Sequence, residues 1–310
     1  NGAGADFERV TFTGGDNAIF GNQASGINLL SCVLTGITDP IQGVESVSLY
    51  VNQCQFDSYN IGIYWANSNF FNVVNSTFTG QSLAKAMDLQ NVVLAVIGGD
   101  YIAGHSNGAP SGQIDDDYFE GTGQIIPAVA VELNNVDYCF VRNSQINSND
   151  VGIRDLNDVA PSSVFLFQGT TFFENAAGVY MKGNATEGLV LADCATFARN
   201  KYGIRGSDIT LMIDALNSST SPIDEDQPNA FLRNPIPQGG GANNMYIQIC
   251  YAFKEPLNSI YMRKNYWGTL FGAGEPWIYE QTPEDYILLK RLNCSQLVSP
   301  VVIPRVGREP

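Results

Sequence analysis

Charge, basic residues, histidine and long apolar runs are all scarce in this sequence, and each shortage removes a class of function. Charged residues make up 15% of the 310 positions, against about a quarter in ordinary globular domains. Lys and Arg number 16 against 31 Asp and Glu, a net charge of −15. The imbalance is concentrated: residues 1–200 hold 20 acidic and 6 basic side chains, residues 201–310 hold 11 and 10. An acidic body of this kind argues against nucleic acid and against an anionic membrane surface as partner. No apolar run reaches about 18 residues, so no membrane insertion is expected. The six cysteines fall into no CxxC-type spacing, which excludes the common structural zinc sites. Helical periodicity is missing too, which removes helical solenoids. Neither a signal peptide nor a Met precedes Asn1, so the chain reads as a processed piece of a longer protein or assembly.

What the sequence has instead is a repeat of about two dozen residues. Eight segments align: Ala18-Ile19-Phe20-Gly21, Pro40-Ile41-Gln42-Gly43, Gly62-Ile63-Tyr64-Trp65, Ala86-Met87-Asp88-Leu89, Ala130-Val131-Glu132-Leu133, Gly152-Ile153-Arg154-Asp155, Gly178-Val179-Tyr180-Met181 and Gly203-Ile204-Arg205-Gly206. Their first residues stand 22, 22, 24, 44, 22, 26 and 25 apart, the 44 being two periods' worth of chain. A second ladder of large apolar side chains runs in phase: Phe12, Leu34, Phe56, Phe78, Tyr101, Ile146, Phe172 and Phe197. Two residues before most of these stands a small side chain, as at Cys32, Cys54, Ser76, Gly99, Ser144, Thr170 and Ala195. A third apolar run lies between the ladders, as in Ile27-Asn28-Leu29, Val47-Ser48-Leu49 and Phe71-Asn72-Val73.

Each period therefore reads as two or three short strands of alternating inward and outward residues, separated by Asn, Gly, Ser and Asp. Residues that recur once per turn stack at strand spacing, about 4.8 Å, and like side chains pile into internal columns. A propeller blade needs a longer unit, about 40 residues or more. The expected fold is all-β: a parallel β-helix solenoid of about ten rungs over residues 1–268, with inserted loops at 103–127 and 217–243. Residues 269–310 are expected to cap the last open strand edges, with a short helix at 284–291. Cys32 and Cys54 share an inward position on neighbouring rungs, about 5 Å apart and within disulfide range. They are expected as stacked buried thiols, and Cys250 with Cys294 is the better candidate bridge.

The Gly-Ile-x-Leu and Asn-x-x-Phe rungs resemble right-handed parallel β-helix repeats of the pectate-lyase-like superfamily. The closer likeness is to the branch with the periplasmic copper-site maturation protein of nitrous oxide reductase and the mannuronan epimerases. Asn265-Tyr266-Trp267-Gly268 looks like the Asn-x-Trp-Gly signature that closes such helices in secreted bacterial proteins. The resemblance covers residues 7–268 and implies a right-handed coil in a secreted or cell-surface protein. It implies no single chemistry, because the superfamily includes lyases, hydrolases, epimerases, tailspikes and adhesins. Polygalacturonase-like enzymes carry Asn-Thr-Asp, Asp-Asp, Gly-His-Gly and Arg-Ile-Lys in chain order. Here Gly104-His105 precedes the Asp run, the third Gly is missing and no Arg-Ile-Lys occurs. The Asp-Pro-His-Asp element of the epimerases is absent as well.

Chemistry is then sought on the outward faces. The third residue of each Gly-Ile-x-x segment points out when the second and fourth point in. This line is Phe20, Gln42, Tyr64, Asp88, Glu132, Arg154, Tyr180 and Arg205. Aromatic rings that stack on sugar faces and an Arg that pairs with carboxylates suit a polysaccharide, giving Tyr64, Asp88, Glu132, Arg154, Tyr180, Arg205 and His105 as ligand-binding candidates. Asp88 and Glu132, one or two rungs apart, are also spaced for acid/base work on a glycosidic bond, with Arg154 beside them. The bland alternative is a solvated face of mutually neutralising charges. The 103–127 insertion should overhang this line. It carries the lone His105, expected at the surface, and Asp115, Asp116 and Asp117, whose oxygens are suited to calcium.

The expected function is non-catalytic: a rigid extracellular stalk or adhesin-like module that presents a face to a polysaccharide or a protein partner. A polysaccharide lyase, hydrolase or epimerase is the rival, and a structural piece of a larger surface assembly the third. On any of these, Glu132→Ala is expected to leave folding intact.

Overall fold

The structure, a computed structural model, describes residues 4–81, 84–107, 126–156, 163–167 and 169–182, and beyond them the strands up to Pro276–Tyr279 with a few residues beside them. Among these the chain is all-β, a parallel β-solenoid of about six turns. No described helix is long and apolar enough to cross a membrane.

Each turn contributes to three faces. The first stacks the short strands Thr11–Gly15, Val33–Ile37, Gln55–Asp57, Thr77–Thr79, Tyr101–Ala103, Gln145–Asn147, Thr171–Phe173 and Thr196–Ala198. Their inward residues pair rung to rung as Phe12, Leu34, Phe56, Phe78, Ile102, Ile146, Phe172 and Phe197. The aromatic members stack face to face, Phe56 on Phe78 at 4.4 Å and Phe172 on Phe197 at 4.9 Å. Sealing one such ring from water contributes about 1.5–3 kcal/mol. One rung of this ladder differs from expectation: Ile102, not Tyr101, occupies the inward column, and Tyr101 points to solvent. The small column before it correspondingly holds Asp100 rather than Gly99.

The second face is built from the Gly-Ile-x-x segments and the third from the apolar run that follows. Three 14-residue strands, Ile61–Val74, Lys85–Gly98 and Val129–Arg142, span both. They bend where Asn67, Asn91 and Asn135 take left-handed φ values of 54°, 52° and 54°. All three corners of the coil use this device. Arg9, Ser31, Gln53, Asn75, Gly99, Asn143 and Gly169 line one corner, and Gly14, Gly36, Ser58, Gly104, Ser148 and Glu174 another, all with positive φ. A left-handed residue turns the chain sharply at small cost for Gly and Asn. At the start of the second face, a Cβ on Gly62 would stand 2.7 Å from the carbonyl oxygen of Ala86. That close approach explains the small residue opening so many repeats.

The 44-residue step is one turn with an insertion, not two periods. Asp88 pairs directly with Glu132, and Phe70, Leu94 and Tyr138 follow one another in register. The middle of that insertion, residues 108–125, lies outside the described residues. Its two ends are gathered by Asp150, whose carboxylate accepts from Ser106 Oγ at 2.8 Å, Asn107 N at 2.7 Å and Ala128 N at 3.0 Å. Cys32, Cys54 and Cys139 are free buried thiols, and Cys54 Sγ accepts from Cys32 N at 3.3 Å. Ala230–Leu232, inside the expected loop 217–243, is a strand paired with Thr196–Ala198. Asn265–Thr269 and Pro276–Tyr279 pair antiparallel. The rest of 217–243 and of 269–310, the helix at 284–291 and the Cys250–Cys294 pairing lie outside the described residues.

Candidate functional site

The outward line of the second face is in register throughout: Phe20, Gln42, Tyr64, Asp88, Glu132, Arg154, Tyr180 and Arg205 are consecutive partners. Asp88 and Glu132 stand on adjacent rungs. The line is not uniformly a surface, however. Phe20 is 64% exposed, whereas Asp88 and Arg154 are each 5% exposed, Glu132 7% and Tyr180 0%.

The charged middle of the line is a closed ion cluster. Arg154 donates from Nε to Glu132 Oε1 at 3.0 Å and Oε2 at 3.1 Å, and from a terminal nitrogen to Oε2 at 2.6 Å. Lys85 Nζ bridges the two acids, 2.7 Å from Asp88 Oδ2 and 3.4 Å from Glu132 Oε2. Gln90 Nε2 donates to Asp88 Oδ1 at 3.3 Å, and Tyr64 Oη donates to Gln90 Oε1 at 3.2 Å. Two carboxylates and two cations sum to zero charge, which is what burial at this depth requires. Lys85 escaped the sequence reading. Residues three apart on a straight strand face opposite sides, yet the Lys85 side chain reaches Asp88.

His105 is not a surface residue of the insertion. It is 0% exposed and heads a buried polar ladder down one corner. Tyr59 Oη lies 2.9 Å from Nε2, and Asn149 Oδ1 lies 2.8 Å from Nδ1 and accepts from His105 N at 3.0 Å. Asn149 Nδ2 then donates to Asn175 Oδ1, and Asn175 Nδ2 to Asn200 Oδ1. A neutral imidazole satisfies both contacts: Nδ1–H donates to Asn149, and Nε2 accepts from the Tyr59 hydroxyl. Burial lowers the His105 pKa to about 4 and raises that of Tyr59. His105 thus takes an asparagine's place in a corner ladder, with no opening to a ligand. Asp115, Asp116 and Asp117 lie outside the described residues. Among the described residues, no group of three His, Cys, Asp or Glu is arranged to hold a metal.

The third face carries a surface that sequence reasoning missed. Its outward columns run Ser48, Phe70, Leu94, Tyr138, Ser163, then Tyr50, Asn72, Val96, Phe140, Phe165, then Asn52, Val74, Gly98, Arg142. Tyr138 is 50% exposed, Tyr50 is also exposed, and Phe70, Leu94, Val96, Phe140 and Phe165 are partly so. Phe140 stacks on Phe165 at 4.7 Å, and Tyr138 lies at 6.5 Å from the same ring. At the corner edge of this face a groove of about 360 Å³ opens between Tyr50, Asn72, Asn75, Gly98, Gly99, Arg142 and Asn143. The signal was present: Phe70, Leu94 and Tyr138 recur at the turn period, one residue out of phase with the inward Phe71, Ala95 and Cys139. In a run apolar on both sides, alternation alone leaves the direction undecided.

Comparison with known proteins finds no match: no family model, curated protein or solved structure matches the chain. The class that fold and site define is a parallel β-solenoid that carries, among the described residues, a neutralised, buried ion cluster and an open aromatic face.

Proposed function

We propose that this chain is a non-catalytic β-solenoid module, secreted or held at a cell surface, that binds a glycan along its third face. Its kinship, on the repeat and the Asn265-Tyr266-Trp267-Gly268 run, is with right-handed β-helix proteins of the pectate-lyase-like superfamily. The observation that carries the function is a pair of adjacent outward columns, Phe70, Leu94 and Tyr138 in one and Tyr50, Phe140 and Phe165 in the other. Contiguous exposed apolar surface marks interaction sites. Aromatic rings fixed one strand spacing apart, about 4.8 Å, form a platform for the apolar faces of sugar rings, while Asn72 and the corner asparagines offer amides to hydroxyls. A rigid coil holds these groups without an ordering cost on binding.

The ion cluster supports the non-catalytic side. A glycosidase acid must hold a proton toward the leaving oxygen and its partner must face the sugar. Both oxygens of Glu132 already accept from Arg154, and Asp88 is held by Lys85 and Gln90. Titrating the protein against a panel of neutral and acidic polysaccharides, while assaying reducing ends and unsaturated uronate, tests the proposal. Binding without turnover, lost in Tyr138→Ala, is the expected result. Turnover abolished by Glu132→Gln would establish the enzyme instead, and binding only to a protein partner would replace the glycan.

A further inference from the structure

The cations of the described region are nearly all committed. Lys85 and Arg154 belong to the ion cluster, and Arg9 pairs with Glu8. Arg142 differs: it is exposed, and among the described residues no carboxylate lies within ion-pair distance of it. Its side chain lies over Gly98, where an added Cβ would stand 3.3 Å from Nε and 3.4 Å from Cγ. Gly98 thus makes room for the guanidinium to lie across the rung below. Next to it, Gly99 takes a left-handed φ of 71°, and a Cβ there would stand 2.5 Å from Asn75 Oδ1. These two glycines shape one wall of the groove. At its other end Tyr50 stands three rungs from Arg142, about 14 Å at strand spacing. Between them Asn72 lines the groove.

We propose that this groove is a binding site for an anionic saccharide, the carboxylate or sulfate of one sugar held by Arg142 and the ring of a neighbouring sugar against Tyr50 at the other end. The proposal rests on the third face being a glycan surface and adds charge selectivity to it. The guanidinium is a planar fork matched to an oxyanion. A volume of about 360 Å³ is at the small end for ligand sites, enough for a sugar or two rather than a large cofactor. With a net charge of −15 the protein repels anions at long range. At physiological ionic strength that field is screened beyond about 8 Å, and the contact with Arg142 decides.

The test is an NMR titration of the whole chain at physiological salt with methyl glucuronide, glucose 6-sulfate and uncharged methyl glucoside. The expected result is at least tenfold tighter binding of one or both anions than of the neutral sugar. Arg142→Gln should erase that preference while leaving neutral binding unchanged. Gly98→Val, which displaces the guanidinium, should do the same with Arg142 present. Whichever anion binds tighter identifies the oxyanion. Equal binding of all three, or a preference that survives Arg142→Gln, would overturn the charge site and leave the aromatic face standing. Failure of every sugar to bind would overturn both.

Discussion

The second and third faces of the coil share three long strands, Ile61–Val74, Lys85–Gly98 and Val129–Arg142, and differ in what their outward residues meet. On the second face, Asp88, Glu132, Arg154 and Tyr180 are buried, and the charged groups satisfy one another within hydrogen-bonding distance. On the third, Tyr138, Tyr50 and Arg142 stand open to solvent. Chemical richness in the sequence therefore marked the face whose charged groups are buried and paired with one another. A line of carboxylates and arginines looks functional when listed by rung, yet buried charges are tolerated only when neutralised, and neutralised groups have little left to offer a ligand. The plainer face keeps Tyr138 and Tyr50 exposed, together with Arg142, which no carboxylate among the described residues pairs.

The strongest way to break this contrast is Glu132→Ala. Removing one partner of a buried ion pair leaves the other uncompensated, at a cost of about 3–5 kcal/mol. Urea unfolding should show this loss, reversing the expectation from sequence that the residue is a dispensable surface group. Replacing the pair together, as Glu132→Leu with Arg154→Met, should restore most of it, since Lys85 and Asp88 still balance. A wild-type-like Glu132→Ala would return the second face to the surface. Phe172→Ala should cost a similar amount, about 3–5 kcal/mol, by opening a cavity in the stacked column beneath both faces.

Stability against pH sharpens the contrast from inside the coil. Burial lowers His105 to about 4 and raises Asp100, held only by the Ser76 and Gly98 amides, to about 8. Between about pH 4 and 6.5 the unfolded chain protonates its histidine while the folded one does not, so the His105 contribution is lost as pH falls. Over about pH 4 to 8 the folded chain keeps the Asp100 proton that the unfolded chain has released, so that contribution is lost as pH rises. Each slope is about 1.4 kcal/mol per unit. The two oppose each other below pH 6.5, and Asp100 acts alone above it. Urea midpoints should fall from pH 6.5 to 8, a fall that Asp100→Asn removes. His105→Gln should instead leave the decline continuous down to about pH 4. The smallest effect is expected at Tyr138→Ala, within about 0.5 kcal/mol of wild type in stability, yet with glycan binding lost. A large destabilisation there would mean that the third face is covered.

Much of this molecule was legible before any coordinate. The repeat determined the all-β coil, its parallel stacking, the inward ladder from Phe12 to Phe197 and the shared register of Phe20 to Arg205, because one residue per turn at fixed spacing admits only one alignment. Sequence missed where a single residue shifts the phase, Ile102 for Tyr101 and Asp100 for Gly99, and it missed the reach of Lys85 to Asp88. It also missed His105, whose place in an asparagine ladder is set by Tyr59 and Asn149, 46 and 44 residues away in the chain. Periodicity states which side of a strand a residue takes. Only the tertiary structure decided which outward sides remain outside, because burial depends on what packs over a face, and a strand's own sequence does not carry that.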